Sequence, residues 1–199
     1  MTLSRRGVRA EMRLMHTLRR SFALGLTAVL MGAGLSLSSA ADEKIWHVKA
    51  VHPEGRLLDV KAVDKDGKLH AVKAIEADGN AHLLNIRAMV NGKQLPVKIL
   101  VSDDKLMPVK AIGEDGTIFD IKAIRPDGEK LNVKGVSQNG TIINIKAIGD
   151  GAVQFGIKAI SPEGRLYDVK GIKLGTEKVE GKVHGVEFAA HLKALPQAP

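Results

Sequence analysis

Residues 117–128 read TIFDIKAIRPDG, and this segment predicts one β-strand followed by one turn. Alternation along the strand gives one wholly apolar face, centred on Ile121, and an opposite face with Asp120 and Lys122 between isoleucines. The RPDG sequence that follows favours a type I turn closed by a glycine in the left-handed conformation. The segment therefore predicts a hairpin unit with one inner and one outer face.

The same unit recurs through most of the chain with a period of twelve residues. Its core is a triplet of an aliphatic, a basic and a small or aliphatic residue, found in eleven copies. The basic residues of these copies are Lys49, Lys61, Lys73, Arg87, Lys98, Lys110, Lys122, Lys134, Lys146, Lys158 and Lys170. A longer turn at residues 79–82 and a tight Asn91-Gly92 turn displace the fourth and fifth copies. This regularity predicts a repetitive all-β domain.

The turn also predicts how neighbouring strands pair. It sets Arg125 opposite Glu129, and the continued register sets each central lysine opposite the acidic or amide position of the next strand. The predicted pairs are Lys49–Asp59, Lys61–Ala71, Lys110–Asp120, Lys122–Asn132 and Lys158–Asp168. A parallel coil is the alternative, but it stacks lysine on lysine and needs two corners where each unit has one turn. The register therefore favours an antiparallel meander.

About twelve such strands form the predicted single domain, residues 42–199. Because a barrel of about eight strands is already filled by side chains, a larger ring lined by alanine, valine and leucine predicts a flattened barrel or sandwich. Pro96 and Pro108 replace the Asp or Asn of other copies, and we expect an edge or a bulge there, or a seam between two sheets. The non-repeating tail, residues 173–199, is predicted to add one or two closing strands, with a short amphipathic helix as the alternative.

Residues 1–41 are predicted to be a signal peptide outside the fold. Six arginines precede an apolar run and the small residues SSAA at 38–41, a layout that favours cleavage near Ala40 or Ala41. A membrane anchor is the alternative, but the run is short and interrupted by glycine. The chain has no cysteine, so disulfides are excluded. We therefore expect a periplasmic or secreted protein.

Removal of the predicted signal peptide lowers the net charge of the protein. The whole chain has 30 basic and 22 acidic residues, a net charge of +8. Without the six arginines and one glutamate of residues 1–41, 24 basic and 21 acidic residues remain, a net charge of +3. The basic character belongs largely to the export signal, and nucleic acid is not expected as a partner.

The outer rows of lysine and aspartate are the candidate binding face for a repetitive anionic or polyhydroxyl polymer. The residues of this face are Lys61, Lys110, Lys122, Lys146, Lys170, Asp59, Asp120 and Asp168. The simpler interpretation is a solvated sheet face tied by cross-strand ion pairs, which contribute little individually and discourage association between sheets.

Motifs for catalysis, metal binding or cofactor binding are absent from the sequence. It has no nucleophile elbow and no HExxH motif, and its aspartate-rich turns lack the further ligands of calcium loops. No catalytic residue, metal ligand or cofactor site is therefore expected. Aromatic residues make up only 3% of the chain, which weakens stacking platforms for sugars or bases.

Three functions are compatible with these observations. The first is a non-enzymatic structural or binding module of the cell envelope or exterior that recognises a polymer or a protein partner. The second is an outer-membrane β-barrel with its apolar face toward lipid and lysine and aspartate lining a lumen, although the scarcity of aromatic residues counts against it. The third is an enzyme with a site near His184, Glu187 and His191 in the tail.

Overall fold

Each copy of the repeat forms one strand, because alternating aliphatic and polar residues suit a sheet with one buried and one solvated face. The computed structural model describes residues 44–77 and 80–197, within the unit Ala40–Pro199. Its strands are β1 (Ile45–Val51), β2 (Leu57–Val63), β3 (Leu69–Ala77), β4 (Asn80–Val90), β5 (Lys93–Leu100), β6 (Met107–Ile112), β7 (Ile118–Ile124), β8 (Lys130–Asn139), β9 (Ile142–Ile148), β10 (Gln154–Ile160), β11 (Leu166–Ile172), β12 (Gly181–Val183) and β13 (Val186–Pro196). A single 3-10 turn, Asp150–Ala152, precedes β10. The predicted signal peptide lies outside the described residues.

All thirteen strands belong to one antiparallel sheet. From β1 to β11, each strand pairs with the next one in the chain. Twelve of the strands close into a ring that is not evenly disposed around an axis, as in a flattened barrel or sandwich. The predicted all-β fold and antiparallel meander are confirmed.

Together with the pairings between non-consecutive strands, these contacts divide twelve of the strands into four groups. In each group, every strand pairs with the other two. The groups are β1–β2–β3, β6–β7–β8, β9–β10–β11 and β4–β5–β13. Every two groups are joined by one longer ribbon of two strands, namely β1–β10, β2–β7, β3–β4, β5–β6, β8–β9 or β11–β13. This is the connectivity of a tetrahedron, with a group at each corner and a ribbon along each edge. β12 adds a short hairpin to β13.

The two faces of the sheet are placed as the alternation predicts. Aliphatic residues such as Val60, Ala62, Ile121 and Ala123 are buried in one continuous core. The lysine and aspartate side chains lie on the opposite, outer face. This orientation is the reverse of the one that the outer-membrane alternative requires.

The turns have the predicted geometry. The backbone N–H of Arg125 donates to the carbonyl of Glu129 at 2.9 Å, and Gly128 N–H donates to the Arg125 carbonyl at 2.9 Å. Gly128 has a φ of 89°, the left-handed conformation that closes such a loop without steric cost. The five predicted cross-strand pairs all occur in the sheet. The tail adds strands, as expected, because β13 pairs with β4, β5 and β11.

The predicted seam between two sheets at Pro96 and Pro108 is wrong, because all thirteen strands belong to one sheet. Both prolines lie in strands of the single sheet, Pro96 opposite Arg87 and Pro108 opposite Lys134. Along one edge of β5, the partner strand changes from β4 to β13 just after Pro96. Along one edge of β6, the partner strand changes from β8 to β7 just after Pro108. A ladder that is interrupted at these points accommodates a residue without an N–H.

Within residues 44–77 and 80–197, no helix is long and apolar enough to cross a membrane.

Candidate functional site

Twelve cations occupy equivalent central positions on the outer face. Eleven come from the repeat, and Lys193 of β13 is the twelfth. Each of the six ribbons sets two of them directly opposite each other: Lys49–Lys158, Lys61–Lys122, Lys73–Arg87, Lys98–Lys110, Lys134–Lys146 and Lys170–Lys193. Cations therefore face cations across the ribbons of this antiparallel sheet, as they would in the parallel coil. The hairpin register alone predicts only pairs of a lysine with an acidic or amide position. Like charges placed opposite each other destabilise a sheet unless other groups offset them.

Within each three-strand group, every cation faces a residue of a neighbouring strand. These partner positions hold Asp59, Asp120 and Asp168, then Asn85, Asn132 and Asn144, then His47 and His191, and finally Ala71, Pro96, Pro108 and Gly156. Twelve cations thus face three aspartates, so the central positions of the outer face carry a large excess of positive charge.

Each aspartate is shared between two lysines of its own group. Lys110 donates a hydrogen bond to Asp120, and Lys122 Nζ lies 3.3 Å from Asp120 Oδ2. Burial opposes ionisation of Asp120, but hydrogen bonds and charge from the two lysines outweigh it and hold its pKa below the ordinary value. The same sharing joins Asp59 to Lys49 and Lys61, and Asp168 to Lys158 and Lys170.

The β8–β9 ribbon has no such acid. Lys134 faces Pro108 in one group, Lys146 faces Gly156 in another, and the two lysines face each other. A Cβ added to Gly156 would lie 3.8 Å from Lys146 Nζ, so the ammonium lies over bare backbone. Among the described residues, neither lysine has an ion-pair or hydrogen-bond partner for its side chain. The β3–β4 ribbon also has no facing acid, since Lys73 faces His47 and Arg87 faces Pro96.

The fourth group contains a different cluster. Lys98 donates a hydrogen bond to His191 Nδ1 at 2.6 Å, and His191 Nε2 lies 3.5 Å from Glu180 Oε2. The Lys98 ammonium lies 4.6 Å from the centre of the Phe188 ring. Burial, and then the charges of neighbouring cations, lower the pKa of Lys98 to about 8. A lysine with this pKa has an appreciable neutral fraction near neutral pH.

A model of a family of unknown function, DUF7486, matches residues 42–195. The chain belongs to the DUF7486 family. The matched region includes all twelve central cations, from Lys49 to Lys193. No curated protein and no solved structure matches the chain.

In the DUF7486 chain, the predicted binding face is distributed over three groups. Asp59 and Lys61 lie in β1–β2–β3, and Lys110, Asp120 and Lys122 lie in β6–β7–β8. The last three, Lys146, Asp168 and Lys170, lie in β9–β10–β11. The predicted binding face did not include Lys134, although it has the same triplet signature. The lack of an acid opposite Lys134 depends on strand pairings that the sequence does not give.

In the predicted cluster of His184, Glu187 and His191, the two residues with side-chain partners pair outside the cluster. Glu187 pairs with Lys182 at 3.3 Å, and His191 lies between Lys98 and Glu180. His184 forms the turn before β13, with a φ of 45°. Glu180 was missed because no local motif marks it. Among the described residues, no group of three or more histidines and carboxylates has metal-binding geometry.

The turns of the DUF7486 chain also border clefts. One of them, of about 670 Å³, has an apolar floor that includes Leu58 and Phe155 and is flanked by Arg56 and Arg125. Both arginines are already paired, Arg56 with Glu54 at 3.5 Å and Arg125 with Glu129 at 2.7 Å. The cleft therefore offers apolar contact but little uncompensated charge.

Proposed function

We propose that the DUF7486 chain is an exported, non-enzymatic binding module of the cell envelope or exterior, and that its outer face recognises an anionic polymer. The observation that supports this most strongly is the Lys134–Lys146 pair. These two half-buried lysines are directly opposite each other in the sheet, and no acid occupies their facing positions. A phosphate, sulfate or carboxylate placed between them would relieve their repulsion and accept charge-assisted hydrogen bonds.

A polymer fits better than a single small anion because the cations are repeated. Each of the other five ribbons also carries two central cations. Aspartates neutralise these cations in part in four of the ribbons, and no aspartate faces Lys73 or Arg87 in the fifth. A chain of anionic groups can contact several of these positions at once. Linked contacts raise the overall affinity far above that of one contact.

The export part of the proposal rests on residues 1–41, with their arginines, apolar run and small residues. N-terminal sequencing of the protein isolated from its host would test it. We expect a mature start after Ala40 or Ala41. An intact N-terminus on the cell-associated protein would contradict export by cleavage.

Calorimetric titration with inorganic polyphosphate would test the binding function. The informative variant is Lys134→Gln/Lys146→Gln, and its matched control is Lys65→Gln/Lys105→Gln, which removes the same charge from exposed turns. We expect the first variant to bind at least about tenfold more weakly, since hydrogen bonds to charged groups contribute about 1.5–3 kcal/mol each. The control should bind nearly as well as the wild type.

Salt provides a second readout. Binding to the ribbons should weaken as sodium chloride rises, because salt screens exposed charges over a Debye length of about 10 Å at 0.1 M. Equal losses in the two double variants would mean that only net charge matters. No binding by the wild type at low salt would leave the lysine and aspartate rows with a structural role alone.

A further inference from the structure

Lys98 differs from the other central cations in what surrounds it. Its Nζ donates to His191 Nδ1 at 2.6 Å, on the neighbouring strand β13. A neutral imidazole that accepts at Nδ1 carries its proton on Nε2. The ring also contacts Phe188 edge to face, with the ring centres 5.0 Å apart. The Nδ1 side of the His191 ring is therefore fixed by Lys98, and the proton on Nε2 is directed away from the lysine.

That nitrogen faces Glu180, whose side chain is only 3% exposed. Glu180 Oε1 accepts hydrogen bonds from the backbone N–H groups of Leu174 and Gly175, which fix the carboxylate. Oε2 lies 3.5 Å from His191 Nε2 and has no hydrogen-bond partner. A buried carboxylate oxygen without a partner is unfavourable, and hydrogen bonds in catalytic sites are often long before a ligand binds. The carboxylate is thus aimed at the imidazole.

Carboxylate, imidazole and amine therefore form a chain of three groups. A nucleophile within hydrogen-bond reach of a base, with the base oriented by a third group, is the arrangement that activates nucleophiles in many proteins. Every element packed around Lys98 contributes a charged or titratable group. These groups are Arg87 on β4, Lys110 on β6, Lys193 and His191 on β13, and Glu180 before β12.

The directions of the pKa shifts agree with this geometry. Burial, together with Arg87 and Lys193, lowers the pKa of Lys98 to about 8, while Glu180 acts in the opposite direction. Burial and the Lys98 charge also lower the pKa of His191. Near pH 7 the imidazole is therefore neutral and able to accept a proton, and part of the Lys98 population has a free electron pair on Nζ.

We propose that Lys98 is the nucleophilic amine of a covalent binding site for carbonyl compounds that carry an acidic group. Lys98 Nζ attacks the carbonyl carbon, so a C–N bond forms and the π electrons move to oxygen. A proton passes from the nitrogen through His191 to that oxygen. The C–O bond then breaks, water leaves with the second nitrogen proton, and a C=N bond forms. One amine and one carbonyl give one imine and one water, without an oxidant or reductant.

Each neighbour has a defined part in this site. His191 transfers the proton, and Glu180 is a positioning residue that holds the ring. Arg87 and Lys193 attract the acidic group of the ligand, because the cations of this group face no aspartate in the sheet. The site does not include the Lys134–Lys146 pair, so the imine test and the polyphosphate test of that pair can fail separately.

The chain contains a matched control for Lys98. Lys73 also faces a histidine in its own three-strand group, with its Nζ 3.0 Å from His47 Nδ1. His47 is exposed, and the acid near it is Asp59, which already accepts a hydrogen bond from Lys49. Lys73 therefore reproduces the lysine–histidine pair without a buried carboxylate aimed at the ring.

The test is reductive trapping with glyoxylate and cyanoborohydride at about pH 7, followed by peptide mass spectrometry of the purified protein. An imine at lysine becomes a stable carboxymethyl amine, and the rates at Lys98 and Lys73 are read from one sample. We expect labelling at Lys98 to be at least about tenfold faster than at Lys73, because a larger neutral fraction and an adjacent base activate it. Propionaldehyde, which has no acidic group, should show a smaller preference for Lys98.

Variants separate positioning from folding. Glu180→Gln should slow labelling at Lys98 several-fold and leave the rate at Lys73 unchanged, which also reports that the sheet is intact. Lys98→Arg should abolish labelling at this position. Labelling of Lys98 no faster than that of Lys73 overturns the proposal. A fast rate that Glu180→Gln leaves unaltered also overturns it, because the three-group chain would then have no part in the reaction.

Discussion

Lys61 and Lys122 lie directly opposite each other across the β2–β7 ribbon, although they belong to different three-strand groups. Each lies near an aspartate of its own group, Lys61 3.5 Å from Asp59 and Lys122 3.3 Å from Asp120. These acids offset the repulsion between the two ammonium groups. The same relationship between Lys134 and Lys146 has no acid to offset it.

Removing one of the uncompensated lysines should therefore stabilise the fold. We expect Lys134→Gln to raise the free energy of unfolding by about 0.2–1 kcal/mol, the usual size of a cross-strand pair effect. Chemical denaturation at low and high salt measures this, and the gain should shrink as salt screens the charges. Lys61→Gln is the control and should show no such gain, since it deprives Asp59 of a partner. A less stable Lys134→Gln variant would argue against repulsion across the ribbon.

The shared aspartates predict a dependence on acid pH. Asp120→Asn should cost about 0.5 kcal/mol at neutral pH, a small effect because the ion pair is partly exposed to solvent. Since the folded-state pKa of Asp120 lies below the ordinary value, its contribution is complete above about pH 4 and disappears as pH falls through the folded pKa. Urea midpoints of the wild type and the variant should therefore converge once the pH has fallen below the folded-state pKa. A constant difference at all pH values would show that the effect is not ionic.

Lys98 predicts the opposite trend at alkaline pH. Its folded-state pKa of about 8 lies below the value of 10.5 for a free lysine. The unfolded chain therefore binds more protons between these values, and wild-type stability rises as pH increases through this window. Lys98→Met should stabilise the protein at pH 7 by about 1–2 kcal/mol, a figure reduced from the full shift because solvent screens this half-buried group.

Thermal unfolding of both proteins at several pH values checks this prediction. The advantage of Lys98→Met should fade toward about pH 10, where the wild-type lysine is largely neutral in the folded state. An advantage that does not change with pH would mean that packing of the methionine, and not removal of the charge, stabilises the variant.

On the inner face, replacing Gly171 with the alanine found in most copies of the repeat should destabilise the fold. Gly171 replaces the alanine of most copies, and Ile99 replaces it in the fifth copy. A Cβ on Gly171 would lie 2.3 Å from Ile99 Cδ1 and 3.0 Å from Ile143 Cβ. Because overfilling a packed core is unfavourable, Gly171→Ala should cost about 1–3 kcal/mol.

A double-mutant cycle tests this compensation. Ile99→Ala leaves a cavity, and Gly171→Ala should then fill part of it, so the double variant should lose less stability than the sum of the two single variants. Gly156→Ala is the control, because its added methyl makes only ordinary contact on the outer face, 3.8 Å from Lys146 Nζ. Additive costs would mean that Ile99 and Gly171 do not share one space.

Local chemistry accounts for the part of the fold that the sequence predicts well. The RPDG turn sets Arg125 opposite Glu129, and alternation carries that register along to Lys122 and Asn132. The same turn says nothing about the other edge of each strand. The pairing of β2 with β7 depends on how the whole ring closes, so the opposition of Lys61 and Lys122 has no local signal.

The residues of the Lys98 site likewise could not be predicted from local sequence. Lys98 and His191 are 93 residues apart in the chain and meet only because β13 joins β4 and β5. In sequence Lys98 has the signature of every other central cation. Glu180 is even less visible, since its role depends on backbone donors at Leu174 and Gly175 in an irregular segment.

The most direct test of the outer-face account is NMR of lysine side chains labelled with carbon-13 at Cε, recorded during titration with polyphosphate. The account predicts that the signals of Lys134 and Lys146 shift first and most, while those of Lys65 and Lys105 in the turns move little. Shifts of equal size at all lysines, or shifts confined to the turn lysines, would contradict it. In that case the cationic ribbons would serve the fold and not a ligand.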